Sequence, residues 1–322
     1  MIRTLAGALG ATSLLLLGNV AASAEPLKVV ASFSIIADFA KNVGGDRVEI
    51  VTLVGPNGDA HVYDPKPSDA AALAAADVVL TNGLQFEGFL PRLIKASGAK
   101  APMVELTKGA EILKVEEEPH AHAEAGEHQH EKAEDHDHEE GHHHHGEFDP
   151  HAWQSVHNAE VYVKNIADAF CAADKAGCDT YTANAKIYTN ALKALDTEIK
   201  AAVAEIPENK RTVITSHDAF GYFEHEYQII LLAPEGISTD TEASAADVAA
   251  LIRQIREDKA SAIFVENISN PKPIERIGQE TNLKVGGELF SDALSEESGP
   301  AATYIEMMRH NIKTIRGAVL GD

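Results

Sequence analysis

The chain has 322 residues, a formal net charge of −23 at pH 7 and 44% hydrophobic residues. That apolar content can supply a packed core, and the length allows one large domain or two modest ones. The acidic balance excludes a nucleic-acid partner, which needs a basic face, and suits a protein that handles cations.

Residues 1–24 read as a secretory signal peptide. Arg3 supplies the positive end, Leu5 to Val20 is apolar and small, and Ala22-Ser23-Ala24 fits a cleavage site before Glu25. The apolar run is too short for a comfortable membrane span, and no second run of about 18 apolar residues follows. No cysteine sits near the cleavage point, so no lipid anchor is expected. The mature protein is expected to be soluble and exported to the periplasm.

Four β-rich runs come next: Leu27–Ser32, Val48–Val54, Val78–Thr81 and Met103–Leu106. Helix-like stretches such as Ile35–Val43 and the alanine-rich Ser68–Ala76 separate them. Between Glu116 and Glu147 the pattern breaks. This segment holds ten of the sixteen histidines (His120, His122, His128, His130, His136, His138, His142, His143, His144 and His145), twelve Asp or Glu and one Lys. With no aromatic or β-branched residue it buries too little apolar surface to offset its ordering entropy, so a mobile, disordered loop is expected. Imidazoles interleaved with carboxylates bind borderline metals, which makes the loop an auxiliary metal-capture segment.

Cys171 and Cys178 lie seven positions apart and are expected to pair in an oxidising compartment. Two sulfurs exclude a four-cysteine zinc site. Thr180–Ile206 lacks Gly and Pro, and Tyr188, Leu192, Leu195 and Ile199 recur at helical spacings. A helix there would be about 40 Å long at 1.5 Å rise per residue, a stiff spine. Strand candidates then resume at Thr212–Thr215, Ile229–Leu232, Ala262–Val265 and Leu283–Val285, with helices at Ala245–Glu257 and Ala301–Val319.

Strands alternating with helices predict an α/β fold with parallel sheets. The expected architecture is two similar β/α lobes, each with a mostly parallel four-stranded sheet, joined by a long rigid helix. The N-terminal lobe covers 25–165 (with 116–147 as the loop), the connecting helical region 166–207 with its spine at about 180–206, and the C-terminal lobe 208–322.

Four residues are candidates for a formed site. His61 follows the second strand, His151 follows the mobile loop in Asp149-Pro150-His151-Ala152-Trp153, His217 ends the first strand of the second lobe, and Asp292 follows the last strand. Open parallel sheets bind ligands outside the carboxyl ends of their strands, where three of the four fall. Two come from each lobe, so a shared ligand would lie in the cleft between them.

At these residues the chain resembles the zinc- and manganese-binding solute-binding proteins of ABC importers, the ZnuA-like and TroA-like family. The matching motifs are Gly58-x-x-His61-x-x-Asp64-Pro65, Asp149-Pro150-His151-x-Trp153, Ser216-His217-Asp218-Ala219-Phe220-Gly221-Tyr222-Phe223 and Gly287-Glu288-Leu289-Phe290-Ser291-Asp292. They stand in the family's order and span nearly the whole mature chain. The resemblance implies that His61, His151, His217 and Asp292 ligate a metal buried between two lobes. It also implies delivery to an inner-membrane permease, with a zinc metallochaperone as a further partner and a monomer as the working state.

Three imidazoles and one carboxylate suit tetrahedral Zn²⁺, whereas Mn²⁺ prefers more oxygen. The manganese branch of the family usually has glutamate where this chain has His217. Four protein ligands close a site that catalysis would keep open, and no His-Glu-x-x-His, Gly-x-Ser-x-Gly or phosphate-loop motif occurs, so no enzyme is expected. A periplasmic zinc buffer or metallochaperone shares the same site and is the alternative, beside a manganese importer component. Asp149 and Asp218 are candidates to orient an imidazole, and Glu242 to approach the site from its loop. His157, His225 and His310 read as surface or capping residues, and Trp153 as packing.

Overall fold

The computed structural model describes residues 25–115 and 146–321. The expected signal peptide and all ten clustered histidines lie outside the described residues.

In the first lobe β1 (Leu27–Phe33) lies between β2 (Val48–Val54) and β3 (Val78–Thr81), and β4 (Met103–Glu105) closes the far edge. The second lobe repeats that order. There β5 (Thr212–Ile214) lies between β6 (Ile230–Leu232) and β7 (Ala262–Glu266), with β8 (Val285–Leu289) at the edge. Every strand pair is parallel. Six of the seven residues of β1 are buried, as a central parallel strand covered on both faces requires. In both lobes the chain leaves the first strand to one side and returns on the other, so each sheet has a switch point at its carboxyl end.

The helices of the first lobe are α1 (Ser34–Gly44), α2 (Pro67–Ala75), α3 (Leu90–Ser97) and α4 (Val156–Ala173). Those of the second are α6 (Gly221–Tyr227), α7 (Ala245–Asp258), α8 (Lys272–Thr281) and α9 (Tyr304–Leu320). Between them runs α5 (Cys178–Ala204), a helix of 27 residues that packs against α1, α4 and α9. Its buried face is Tyr181, Ala185, Tyr188, Leu192, Leu195, Ile199 and Val203, in steps of three and four. The connecting region expected from residue 166 begins inside α4, which runs unbroken from Val156 to Ala173.

The α4–α5 corner is built around Asp174. Its carboxylate accepts the Ala176 and Gly177 N–H groups at 3.1 Å, the Arg47 guanidinium at 2.6 Å and the Tyr181 hydroxyl at 2.8 Å. A Cβ at Gly177 would come within 2.3 Å of Arg47 Nε, so the close approach needs glycine. The Cys171–Cys178 disulfide spans this corner.

Two expected elements differ. The last strand is Val285–Leu289 rather than Leu283–Val285, because the register with β7 shifts between Ile263 and Val265. Gly286 and Gly287 make that bulge possible: added Cβ atoms would strike Ala318 at 2.5 Å and Thr314 at 2.7 Å, and Gly287 has φ +147°. The final helix starts at Tyr304 instead of Ala301, since the Thr303 side chain caps it by accepting from the Glu306 N–H. One apolar cluster runs from the first sheet through α1, α4 and α5 into the facing side of the second sheet, and a smaller one under α7 and α8 covers that sheet's outer face. Among the described residues no helix is long and apolar enough to cross a membrane.

Candidate metal centre

Four loops at the carboxyl ends of the strands converge in the cleft. His61 lies in the loop after β2. Its turn depends on Gly58, where a Cβ would meet Val54 Cγ1 at 2.8 Å, and on Asn57 with φ +53°. The Asp59 carboxylate accepts the His61 N–H at 2.9 Å and, through its other oxygen, the Thr239 hydroxyl of the opposite lobe at 2.5 Å. The Asn57 N–H donates to Leu294 O across the same cleft at 2.9 Å.

His151 follows Asp149-Pro150. Asp149 Oδ1 accepts both the His151 N–H at 2.9 Å and its Nδ1–H at 2.8 Å. The Pro150 carbonyl accepts Asn82 Nδ2 at 2.8 Å, and Asn82 in turn accepts the Tyr162 hydroxyl at 2.5 Å. Trp153 meets His151 edge to face with ring centroids 5.3 Å apart, and its Nε1–H donates to Ser291 O at 2.9 Å. Gln154 donates to that same carbonyl at 2.8 Å. Trp153 thus fixes the loop bearing Asp292 rather than reaching the centre itself.

His217 leaves the end of β5 beside Glu266, the last residue of β7. Glu266 Oε1 accepts the Thr215 hydroxyl, the Ser216 N–H and the His217 N–H at 2.5, 2.7 and 2.9 Å, and Oε2 accepts His217 Nδ1–H at 2.6 Å. Asp292 comes from the loop after β8, which α9 clamps: Asn311 accepts the Phe290 N–H and donates to its carbonyl.

The four side chains meet at one point. Asp292 Oδ2 lies 3.1 Å from His61 Nε2, 3.2 Å from His217 Nε2 and 3.7 Å from His151 Nε2. One donor atom from each of the four falls within 4.8 Å of the others. A tetrahedral ion with bonds near 2.0–2.1 Å keeps donor pairs roughly 3.3 Å apart, which the three contacts of Asp292 bracket. His151, His217 and Asp292 have no exposed surface. Among the described residues His151 Nε2 and Asp292 Oδ1 are buried without a hydrogen-bond partner, an arrangement that costs free energy unless a ligand completes it.

The electrostatics follow from burial and charge. Burial alone would lower the His151 imidazole, but the Asp292 charge and the Asp149 hydrogen bond outweigh it and push it up to about 9. The same contest, with Glu266 and Asp292 as the anions, leaves His217 well above its ordinary value. Burial alone would raise Asp292, yet His217 and His151 hold it well below the usual carboxylate range. Glu266 is likewise held down by His217.

Of the residues expected to orient imidazoles, Asp149 bonds His151 directly. Asp218 is exposed, and the Nδ1–H of His217 is held by Glu266. Glu242 is also exposed and lies outside the cluster. Glu235 of that loop lies nearer, with its backbone bridged to His217 and its carboxyl pushed up by burial. Glu266 was missed because only the pairing of β5 with β7 brings it to His217. Glu87 was missed too. It is buried, takes the Ser32 hydroxyl and the Asn82 N–H at 2.6 Å each, and its signal was a carboxylate set between Phe86 and Phe89. His157 and His225 are exposed, and a His310 ring nitrogen bonds Glu288 O at 2.9 Å.

A family model described as zinc-uptake complex component A, periplasmic (ZnuA), matches residues 29–318. The chain is 32% identical over 295 residues to the manganese ABC transporter substrate-binding lipoprotein PsaA of Streptococcus anginosus, covering 92% of this chain and 90% of that protein. It is 31% identical to the iron-binding protein YfeA of Yersinia pestis, covering 94% of this chain and 90% of that one. The solved structure of the periplasmic zinc binding protein TroA from Treponema pallidum superposes with a TM-score of 0.78 at 29% identity, covering 92% of this chain and 99% of that one. With two parallel four-stranded sheets and a His/Asp cluster between them, the chain belongs to the ZnuA family, the metal-binding solute-binding components of ABC importers, and is a binding protein rather than an enzyme.

Proposed function

We propose that this protein captures Zn²⁺ in the periplasm and delivers it to the permease of an ABC importer, with His61, His151, His217 and Asp292 as the four ligands. The observation that carries the reading is the convergence of three imidazole Nε2 atoms and one carboxylate oxygen in a buried cleft. Neutral imidazole with a single carboxylate favours zinc, whereas Mn²⁺ draws on more oxygen and a higher coordination number. The buried partners Asp149 and Glu266 hold both Nδ1–H groups, which leaves Nε2 of His151 and of His217 as the donor toward the cleft. The ten histidines between His120 and His145 collect zinc and pass it to this site. Export follows from the leader at 1–24.

Manganese is the second reading, supported by the manganese named for PsaA. A zinc buffer that serves other proteins shares the same site and differs only in its partner. The test is metal analysis of protein purified from the periplasm without added metal, together with a form lacking 116–145. One tightly held zinc per chain in both forms supports the proposal, and manganese bound in preference to zinc overturns it. Stimulation of a reconstituted permease's ATPase by the zinc-loaded form separates importer from buffer.

A further inference from the structure

We propose that Tyr222 is a positioning residue for His151, through which the placement of the second lobe is felt at a ligand carried by the first. The inference rests on the proposed ligand role of His151.

Tyr222 belongs to the motif that begins with Ser216-His217, in the first turn of α6, and only 2% of its surface is exposed. Its hydroxyl crosses to the other lobe. It donates to the main-chain carbonyl of Asp149 at 2.8 Å and accepts the Leu113 N–H at 3.1 Å. Asp149 N–H donates to Leu113 O at 3.0 Å, so three hydrogen bonds close a ring through the phenol. Gly221 presses on the same residue from the carboxylate side, where an added Cβ would come within 2.7 Å of Asp149 Oδ2. Asp149 is therefore gripped at its backbone and its side chain by the opening turn of α6. Its other oxygen, Oδ1, holds the His151 N–H and Nδ1–H.

The chain of contacts runs from Tyr222 to Asp149 to His151, and Tyr222 follows His217 by five residues in the same lobe. Moving the second lobe away from the first takes the phenol from Asp149 and loosens the pair that aims His151 Nε2. A permease that separates the lobes would thus weaken two imidazoles at once, one moved with its lobe and one released by the loss of its support. Burial keeps the Tyr222 phenol protonated across the physiological range, so it remains a donor. Phenylalanine fills the same space but leaves the Leu113 N–H and the Asp149 carbonyl without this partner.

The experiment compares the full chain with its Tyr222→Phe, Tyr227→Phe and His151→Ala variants. Tyr227 lies on the same helix, but its hydroxyl bonds Asp196 at 3.2 Å, away from the centre. Zinc release is timed by chelator capture, and bound Co²⁺ reports ligand geometry through its visible ligand-field spectrum. Tyr222→Phe is expected to release zinc about tenfold faster, as loss of an outer partner does, and to change the Co²⁺ spectrum. Tyr227→Phe should alter neither. Release from Tyr222→Phe at the unmodified rate overturns the proposal, and so does equal acceleration in both phenylalanine variants, which would trace the effect to helix stability. Tight binding that survives His151→Ala instead refutes the ligand assignment on which the proposal stands.

Discussion

Replacing Glu266 by glutamine isolates the contribution of the buried carboxylate behind His217. The amide keeps the volume, so no cavity forms, but it exchanges one acceptor for a donor. In the orientation that leaves its carbonyl at the Oε1 position, the bonds from Thr215, Ser216 N–H and His217 N–H persist. The NH₂ then stands where Oε2 accepted His217 Nδ1–H at 2.6 Å. Two donors cannot face one another, so the imidazole moves its proton to Nε2, the atom 3.2 Å from Asp292 that would bind the ion. The flipped amide is worse, since it sets its NH₂ against three donors. Either way the competent tautomer is disfavoured and a negative charge is lost beside the centre. Disturbing such a partner typically lowers affinity about 10–100-fold, roughly 1.4–2.7 kcal/mol. Competition with a chromophoric chelator near neutral pH measures it. Unchanged zinc affinity in a folded Glu266→Gln protein would refute the reasoning that the carboxylate sets the tautomer.

Removing a ligand outright should cost more than removing its partner, so His217→Ala is expected to weaken zinc beyond that range, while His217→Glu raises manganese affinity relative to zinc about tenfold or more; parallel titrations with both ions check this. Deleting 116–145 should lower the number of zinc ions held and slow loading at low metal, yet leave one tight site; isothermal titration of both forms decides it. Because His151 sits at about 9 and His217 is raised as well, both carry protons in the metal-free protein at neutral pH and zinc must displace them. Calorimetry in buffers of different ionisation enthalpy should then show about two protons released per zinc, with affinity rising as pH rises. For the metal-free protein the sign is opposite. A folded-state value above the unfolded one contributes stability that is complete below about 6.5 and lost as pH rises through about 9, so its melting temperature should fall over that window. Replacing Cys171 and Cys178 by serine frees a seven-residue separation and should cost about 2.5 kcal/mol, a drop of roughly 4 °C in melting temperature by calorimetry, with zinc affinity unchanged.

Much of the architecture is legible in the chain because the signals are local. Runs such as Leu27–Ser32 and Val48–Val54 are strands for their own content, and the spine announces itself through Tyr188, Leu192, Leu195 and Ile199. The Asp149–His151 pair is readable for the same reason, since an aspartate two residues ahead reaches back to the N–H and ring of its neighbour. What escaped depends on contacts between distant segments. The last strand reads two residues early in the sequence because Gly286 and Gly287 are poor strand formers, and their fit against Ala318 and Thr314 of α9 is a contact between distant segments. Asp218 adjoins His217 and is exposed, and the place beside the His217 ring is taken by a residue far away in the chain. Glu266, 49 residues away, occupies that place through the parallel pairing of β5 and β7. Tyr222 lies inside a motif that was read for its histidine, and its cross-lobe bond has no local signature.

The most direct test of the central claim is a crystal structure of the zinc-loaded protein with anomalous data at the zinc edge. The account predicts one anomalous peak in the cleft, bonded to His61 Nε2, His151 Nε2, His217 Nε2 and an Asp292 oxygen at about 2.0–2.1 Å each. A peak elsewhere, or an ion in the cleft that any one of the four fails to touch, would contradict it.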